Sequence, residues 1–234
     1  MKACVLTGAG GAIGGAIARV LAGSGWRVLG VDLAYRDDEA TPSPLSARIT
    51  CDIRDESAFR SCLRAFADAE PVRGLVNCAG FYPIEPFADS DSTSWRRQVD
   101  VNFLAPVIAC HALLPGMVEA GWGRIVNITS DSSRTGAARL AVYAGTKGGL
   151  LSFSKSLAQE VGRTGVTVNC VSPGTIQVPT TDADMAGKLA RKIPVGRLGK
   201  PEDVAAAVDF LMSEAAEYIT GEVVSVGGGL TMVG

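Results

Sequence analysis

Short runs of consecutive apolar residues alternate along the chain with longer segments in which apolar residues recur every three or four positions. The first pattern predicts strands buried on both faces, and the second predicts helices. The predicted strands are Ala3–Leu6, Val28–Val31, Arg48–Cys51, Leu75–Asn77, Arg124–Ile128, Val166–Cys170 and Val223–Val226. The predicted helices are Ala12–Ala22, Glu56–Ala69, Trp95–Val118, Val142–Val161 and Glu202–Met212.

This alternation predicts an α/β protein with a parallel sheet of about seven strands, doubly wound by right-handed crossovers and covered by helices on both faces. No Pro-, Gly- or Ser-rich linker divides the chain, so we expect residues 1–234 to form a single domain. Residues 37–45 are expected to form a surface excursion. Residues 177–199 follow the sixth strand at the carboxyl edge of the sheet, which predicts a substrate lid; an irregular connection is the alternative.

Composition excludes several classes of protein. Hydrophobic residues make up 47% of the 234 positions, which argues against disorder, and 22 Lys and Arg against 24 Asp and Glu argue against a nucleic-acid partner. No apolar run reaches the roughly 18 residues of a membrane span, and the first strand runs directly into a glycine loop. We therefore expect a cytoplasmic protein. Six widely spaced cysteines predict reduced core side chains, and no spacing indicates a metal site.

A glycine-rich segment, Thr7–Gly14, connects the first predicted strand to the first predicted helix. Glycines allow a tight turn and a close approach to a pyrophosphate, which the helix N-terminus stabilises. Asp32 ends the second strand, where a carboxylate accepts hydrogen bonds from ribose hydroxyls and repels a 2′-phosphate. The pattern therefore favours NAD(H) over NADP(H). Arg36 could reach a phosphate, although a solvated loop arginine is the alternative.

A tyrosine and a lysine, Tyr143 and Lys147, lie four residues apart, on one face of a predicted helix. A phenol loses its proton near pH ~10, and a neighbouring ammonium favours the phenolate. The pair therefore predicts a proton donor and acceptor that works near neutral pH.

These features together resemble the short-chain dehydrogenase/reductase family, of the short single-domain Rossmann type, over essentially the whole chain. The segments that carry the resemblance are Thr7–Gly14, Cys51-Asp52-Ile53, Asn77-Cys78-Ala79-Gly80, Val101-Asn102-Phe103, Asn127–Ser130, Tyr143…Lys147, Ser172–Ile176, Ile193–Gly199 and Ile219–Gly229. The chain departs from the family pattern at Ala12, Cys78 and Val178.

The resemblance implies a catalytic set of Asn102, Ser130, Tyr143 and Lys147. Tyr143 would exchange a proton with the substrate oxygen, Ser130 would hydrogen-bond that oxygen, and Lys147 would lower the pKa of the tyrosine and hold the nicotinamide ribose. Asn102 would hold a relay water. The expected cofactor contacts are Gly8, Gly11, Ala12, Ile13, Gly14, Asp32, Asp52, Ile53, Asn77, Ala79, Gly80, Tyr143, Lys147, Pro173, Gly174 and Ile176.

The substrate pocket is expected beside the segments that leave the strand ends, with Phe81, Tyr82, Ser130 and Arg139 as candidate contacts. These segments, among them Phe81–Ile84 and Asp131–Leu140, mix apolar and aromatic residues with hydroxyls, which favours a hydrophobic ketone or secondary alcohol. The segments Phe81–Phe87, Gly121–Ser130 and Leu230-Thr231-Met232 also resemble family members that oxidise cyclic or aryl secondary alcohols, including cyclic hydroxyacyl-CoA thioesters. A 3-oxoacyl-[acyl-carrier-protein] reductase is the alternative within the family; those enzymes mostly prefer NADP. A non-catalytic NADH-sensing regulator is the alternative from another class. The resemblance also implies a homotetramer.

Overall fold

Seven apolar, β-branched runs form one parallel sheet in the computed structural model, which describes residues 2–35, 43–179 and 183–232, without the side chains of Ala183 and Met185. In these ranges the strands are β1 (Ala3–Thr7), β2 (Arg27–Asp32), β3 (Ala47–Thr50), β4 (Val72–Asn77), β5 (Gly123–Ile128), β6 (Val166–Pro173) and β7 (Val223–Val226). Their order in the sheet is β3-β2-β1-β4-β5-β6-β7, with every neighbouring pair parallel.

Helices cover both faces of the sheet. In the described ranges they are α1 (Ala12–Gly23), α2 (Glu56–Ala69), α3 (Ser92–Val99), α4 (Ala105–Glu119), α5 (Ser132–Thr135), α6 (Ala141–Val161), α7 (Ala183–Ala190) and α8 (Pro201–Met212). Apolar residues of α2, α4 and α6 form the core on one face, and those of α1 and α8 form the core on the other. The predicted doubly wound α/β sheet is therefore confirmed.

Several predicted boundaries need correction. The helix predicted over Trp95–Val118 is two helices, α3 and α4, joined by a π-helical turn at Asp100–Leu104. Strand β4 begins at Val72 rather than Leu75, because the charged Arg73 interrupts the apolar pattern and concealed the start of the strand. Strand β6 continues to Pro173, which brings the end of the strand to the cavity described below.

The segment predicted as a lid, residues 177–199, leaves the edge of the sheet and returns to it at the same point. Ile176 and Gly199 form an isolated parallel bridge, and the Gln177 N–H donates to the Gly199 carbonyl at 2.8 Å. Helix α7 lies within the segment, which the sequence pattern had not predicted. Of the predicted excursion at residues 37–45, only 43–45 lie in the described ranges, and Arg36 lies outside them.

The helical stretch Ser92–Glu119 is long and apolar enough, by length and composition alone, to cross a membrane. This corrects the expectation that no apolar stretch reaches that length. It is weak support for a membrane span, because buried core helices meet the same criterion, and Ala109, Leu113 and Met117 of α4 are buried in the core. Each of the six cysteines, all within the described ranges, is free, as predicted.

Candidate active site

The loops at the carboxyl ends of the strands enclose a cavity of about 750 Å³. Parallel strands bring all their carboxyl ends to one edge, so residues far apart in the sequence meet there. The predicted site residues that line it are Gly8, Gly11, Ala12, Ile13, Gly14, Asp32, Asp52, Ile53, Ala79, Gly80, Phe81, Tyr82, Ser130, Tyr143, Lys147, Pro173, Gly174 and Ile176. Asn77, Asn102 and Arg139 are not among the described lining residues.

The glycine loop forms one end of this cavity. Gly8 has φ +72°, and a Cβ there would lie 2.7 Å from the Ala79 nitrogen; a Cβ on Gly14 would overlap the Gly8 carbonyl. Helix α1 begins after Gly11 with no side-chain cap and with no acidic residue in its first turn. Its first N–H groups and positive dipole end are therefore suited to an anionic pyrophosphate.

The carboxylate of Asp32 is fixed beside the glycine loop. Its Oδ2 accepts from the Gly10 N–H at 2.8 Å, and its Oδ1 accepts from the Leu33 N–H at 2.6 Å. Each oxygen keeps a second lone pair, which a ribose hydroxyl could use. The loop and this carboxylate together fit the ribose and pyrophosphate of a nicotinamide dinucleotide.

Asp52 lies farther along the same wall, paired with Arg54. The Arg54 Nε donates to Oδ1 at 2.9 Å and to Oδ2 at 3.0 Å, and these hydrogen bonds lower the pKa of the Asp52 carboxyl. Both residues line the cavity. The sequence analysis missed Arg54, although its place two residues after Asp52 was a usable signal.

Tyr143, Ser130 and Lys147 meet at the other end of the cavity. Tyr143 lies in the first turn of α6 with Lys147 one turn later, and the Lys147 Nζ is 5.9 Å from the centre of the tyrosine ring. Ser130 follows β5; its Oγ is hydrogen-bonded to the Ser132 Oγ at 2.9 Å, and its side chain lowers the pKa of Tyr143. The predicted proton donor Tyr143, the hydroxyl of Ser130 and the buried cation of Lys147 therefore share one site.

Burial dominates the proton affinities of this group. It raises the pKa of Tyr143 to about 12, against the opposite effect of the neighbouring Ser130 side chain. It lowers the pKa of Lys147 to about 8. The Lys147 Nζ donates to the Ile128 carbonyl at 2.8 Å, which fixes its direction. The pKa of Tyr143 therefore lies above its ordinary value because of desolvation, in the direction opposite to the one predicted from the neighbouring lysine.

Asn102 supports the cavity from behind. It is 0% exposed within the π-helical turn; its Nδ2 donates to the Phe81 carbonyl at 2.8 Å and its Oδ1 accepts from the Phe81 N–H at 2.9 Å. Asn77 likewise lies in the interior, where its Nδ2 donates to Asn127 Oδ1 at 2.8 Å. Both predicted residues therefore brace the wall rather than line it.

Aromatic side chains form the substrate side. The half-exposed ring of Tyr82 lies 5.7 Å from that of Tyr143, centre to centre. The Arg97 guanidinium stacks 4.0 Å from the centre of the Phe81 ring and also lines the cavity. The sequence analysis missed Arg97, because an arginine on an amphipathic helix carries no signal of what it will contact.

Arg139 does not reach this group. Its guanidinium donates to the Ile84 carbonyl at 3.3 Å, and its own carbonyl accepts from the Glu85 N–H at 3.1 Å. It has φ +69°, the only positive φ of a non-glycine residue in the described part of the chain. Arg139 therefore holds the backbone at Ile84 and Glu85 in place, and it is not among the described residues that line the cavity.

The three departures from the family pattern all lie at the cavity. Ala12, Cys78 and Val178 line it. The N–H groups of Cys78 and Ala79 donate to the Thr7 Oγ1 at 3.1 and 3.2 Å, so this turn is held without the side chain that Cys78 replaces.

Comparison with known proteins agrees with this geometry. A family model described as enoyl-(acyl carrier protein) reductase matches residues 8–231. The 3-oxoacyl-[acyl-carrier-protein] reductase FabG of Escherichia coli is 36% identical, over 99% of this chain and 98% of that protein. The cis-4-hydroxycyclohexanecarboxylate dehydrogenase of Sinomonas cyclohexanicum is 33% identical, over 99% and 97%. A crystal structure from Sinorhizobium meliloti, assigned as a short-chain alcohol dehydrogenase, superposes with a TM-score of 0.88 at 31% identity, over 98% of this chain and 96% of that one.

Proposed function

The chain belongs to the short-chain dehydrogenase/reductase family of oxidoreductases, and we propose that it interconverts a hydrophobic cyclic or aryl secondary alcohol and its ketone with NAD(H). The observation that carries this proposal is the meeting of Ser130, Tyr143 and Lys147 at one end of a cavity whose other end holds Asp32.

Asp32 supports NAD(H) over NADP(H). Its carboxylate is fixed by the Gly10 and Leu33 N–H groups, so it cannot turn away from the ribose position without losing two hydrogen bonds. A 2′-phosphate placed there would meet this negative charge. When bound, the nicotinamide supplies or accepts a hydride at its ring carbon.

Tyr143 carries the proton. In reduction its hydroxyl donates to the carbonyl oxygen, and in oxidation its phenolate accepts the alcohol proton. Ser130, which lines the same cavity as Tyr143, can hydrogen-bond the same oxygen and set its direction. Lys147, protonated below its lowered pKa of about 8, favours the phenolate as that charge develops.

The substrate class is inferred from the wall beside Tyr143. Phe81, Tyr82 and Ile84 line the cavity and offer an aromatic and aliphatic surface for a ring or an aryl group. We further propose that residues 177–199 close over this side, since both ends of the segment are tied at Ile176 and Gly199. A homotetramer and a cytoplasmic location stay predictions from the resemblance and the sequence.

The test is oxidation of NADH by the purified protein against cyclic ketones, aryl ketones and 3-oxoacyl thioesters, with NADPH in parallel. We expect NADH-dependent turnover that is best on a cyclic or aryl ketone. Turnover restricted to NADPH would contradict the cofactor proposal. Binding of NADH without turnover of any carbonyl would instead support the sensing regulator.

A 3-oxoacyl-[acyl-carrier-protein] reductase remains the second candidate. The 36% identity to the E. coli reductase along nearly the whole chain favours it. A preference for 3-oxoacyl thioesters in the same panel would select it.

A further inference from the structure

Asp131, next to the catalytic Ser130, places a carboxylate behind the cavity wall, and we propose that this carboxylate biases the site toward the oxidised, positively charged cofactor. The inference rests on the proposed function and deepens it. The sequence placed Asp131 only in the segment that follows Ser130, and it gave no sign of the residues that hold this carboxylate, which the fold alone brings together.

The carboxylate is buried and held from two other strands. Asp131 is 6% exposed. Its Oδ1 accepts from the Ser172 hydroxyl at 2.7 Å and from the Ser225 hydroxyl at 3.1 Å, and its backbone N–H donates to the Pro173 carbonyl at 3.0 Å. It therefore ties the end of β5 to the ends of β6 and β7.

Its partners disperse the charge without cancelling it. The side-chain partners found among the described residues are neutral hydroxyls. A buried charge without a cation is costly, and a neutral amide could join the same strands at a lower cost. The presence of a carboxylate here points to a use for its charge.

The carboxylate also lies close to the cavity. Gly174 lines the cavity, and a Cβ on Gly174 would lie 3.3 Å from Asp131 Oδ2. A Cβ on Gly227 would overlap that same oxygen. The charge is therefore about one residue's thickness from the wall at the end that holds Ser130 and Tyr143.

A nicotinamide ring must lie at this same end, because its hydride and the proton of Tyr143 go to the two atoms of one carbonyl. The ring is a cation when oxidised and neutral when reduced, so a nearby carboxylate stabilises the oxidised form. Repulsion of the pyrophosphate is the same for both forms and cancels in their ratio. The attraction between a carboxylate and a cationic ring across one layer of backbone, at an effective dielectric constant near 20, changes the ratio of the dissociation constants of the two cofactor forms by about tenfold.

The test is the dissociation constant of NAD⁺ and of NADH, measured by calorimetry without substrate. In Asp131→Asn we expect the ratio Kd(NAD⁺)/Kd(NADH) to rise about tenfold. Ser172→Ala, which removes a hydrogen bond but keeps the charge, is the matched control, and its ratio should stay within about twofold of the wild type. An unchanged ratio in Asp131→Asn, or an equal weakening of both forms, overturns the inference and leaves a purely structural role.

A second pair of variants keeps the test valid if Asp131→Asn does not fold. Asp131→Ala/Gly227→Asp returns a carboxylate to this region from the residue that follows β7, and Asp131→Ala/Gly227→Asn differs from it only in charge. The first should bind NAD⁺ relative to NADH about tenfold better than the second; equal ratios overturn the inference. A wild-type protein that binds neither form would overturn the proposed function and this inference with it.

Discussion

Replacing Asn102 by alanine tests how the wall of the active site is held. The change removes the donor to the Phe81 carbonyl and the acceptor from the Phe81 N–H, at a position that is 0% exposed. Leaving a buried polar group unpaired costs about 1–3 kcal/mol. The Phe81 N–H and carbonyl would both lose their partner but gain some access to water, so we expect the free energy of unfolding to fall by about 2–4 kcal/mol. For a chain of this length that corresponds to a fall in Tm of roughly 5–15 °C.

Asn169 provides a matched control. It is also 0% exposed; its Nδ2 donates to the Ile219 carbonyl at 2.8 Å and its Oδ1 accepts from the Glu222 N–H at 3.1 Å. Asn169→Ala should therefore lose similar stability by urea unfolding. Asn169→Ala should keep the wild-type kcat/KM. The kcat/KM of Asn102→Ala should fall roughly ten- to hundredfold, because Phe81 lines the cavity and would shift.

Two results would refute this reasoning. One is a fall in the free energy of unfolding of less than about 1 kcal/mol in Asn102→Ala, together with a fall of more than about 2 kcal/mol in Asn169→Ala. The other is an equal loss of activity in the two variants, which would indicate a general loosening of the fold rather than a displaced wall.

Three further predictions concern the cofactor, the backbone and pH. Asp32→Ala should raise the Kd of NADH at least about tenfold and narrow the gap to NADPH; a wild type that binds NADPH more tightly contradicts the assignment. Arg139→Gly and Arg139→Val both lose the guanidinium hydrogen bond to Ile84, so their difference isolates the backbone effect, and the glycine variant should be the more stable by about 1–2 kcal/mol in urea unfolding because φ +69° suits glycine; equal stabilities would contradict strain at this position. Burial raises the pKa of the Cys110 thiol to about 12 and also raises the pKa of the Cys4 thiol, so the stabilising contribution of each thiol is complete below pH ~8.5 and is lost as pH rises toward the folded value. The free energy of unfolding should thus fall by roughly 1.4 kcal/mol per pH unit per thiol above pH ~9, and Cys110→Ala should show a shallower fall than the wild type; identical slopes would contradict this.

The sheet could be predicted because local and global signals agree. Strands β1, β5 and β6 are buried along their whole length, so apolar residues predominate in them and the few polar ones, such as Arg124 and Asn169, are buried as well. The π-helical turn at Asp100–Leu104 could not be predicted in this way, because its residues continue the helical pattern on both sides. Pro106, which lacks an N–H and stands four residues after Asn102, was a local sign of an interrupted ladder there.

The residues of the site also fall into some that could be predicted from the sequence and some that could not. The glycine loop, Asp32, Tyr143 and Lys147 could be found because each works through a short spacing or a strand end. Asp131 and Arg97 could not, because their partners Ser172, Ser225 and Phe81 come from distant parts of the chain. The direction in which the pKa of Tyr143 shifts also depends on its burial, which the four-residue spacing from Lys147 does not reveal.

The most direct test of the central claim compares the wild type with Tyr143→Phe in two measurements, NADH binding and NADH-dependent reduction of the best ketone. The account predicts that the variant binds NADH within about threefold of the wild type and loses kcat by at least about a thousandfold, since only the proton donor is removed. A Tyr143→Phe protein that retains a tenth or more of the wild-type kcat would contradict the assignment of this residue as the acid and base.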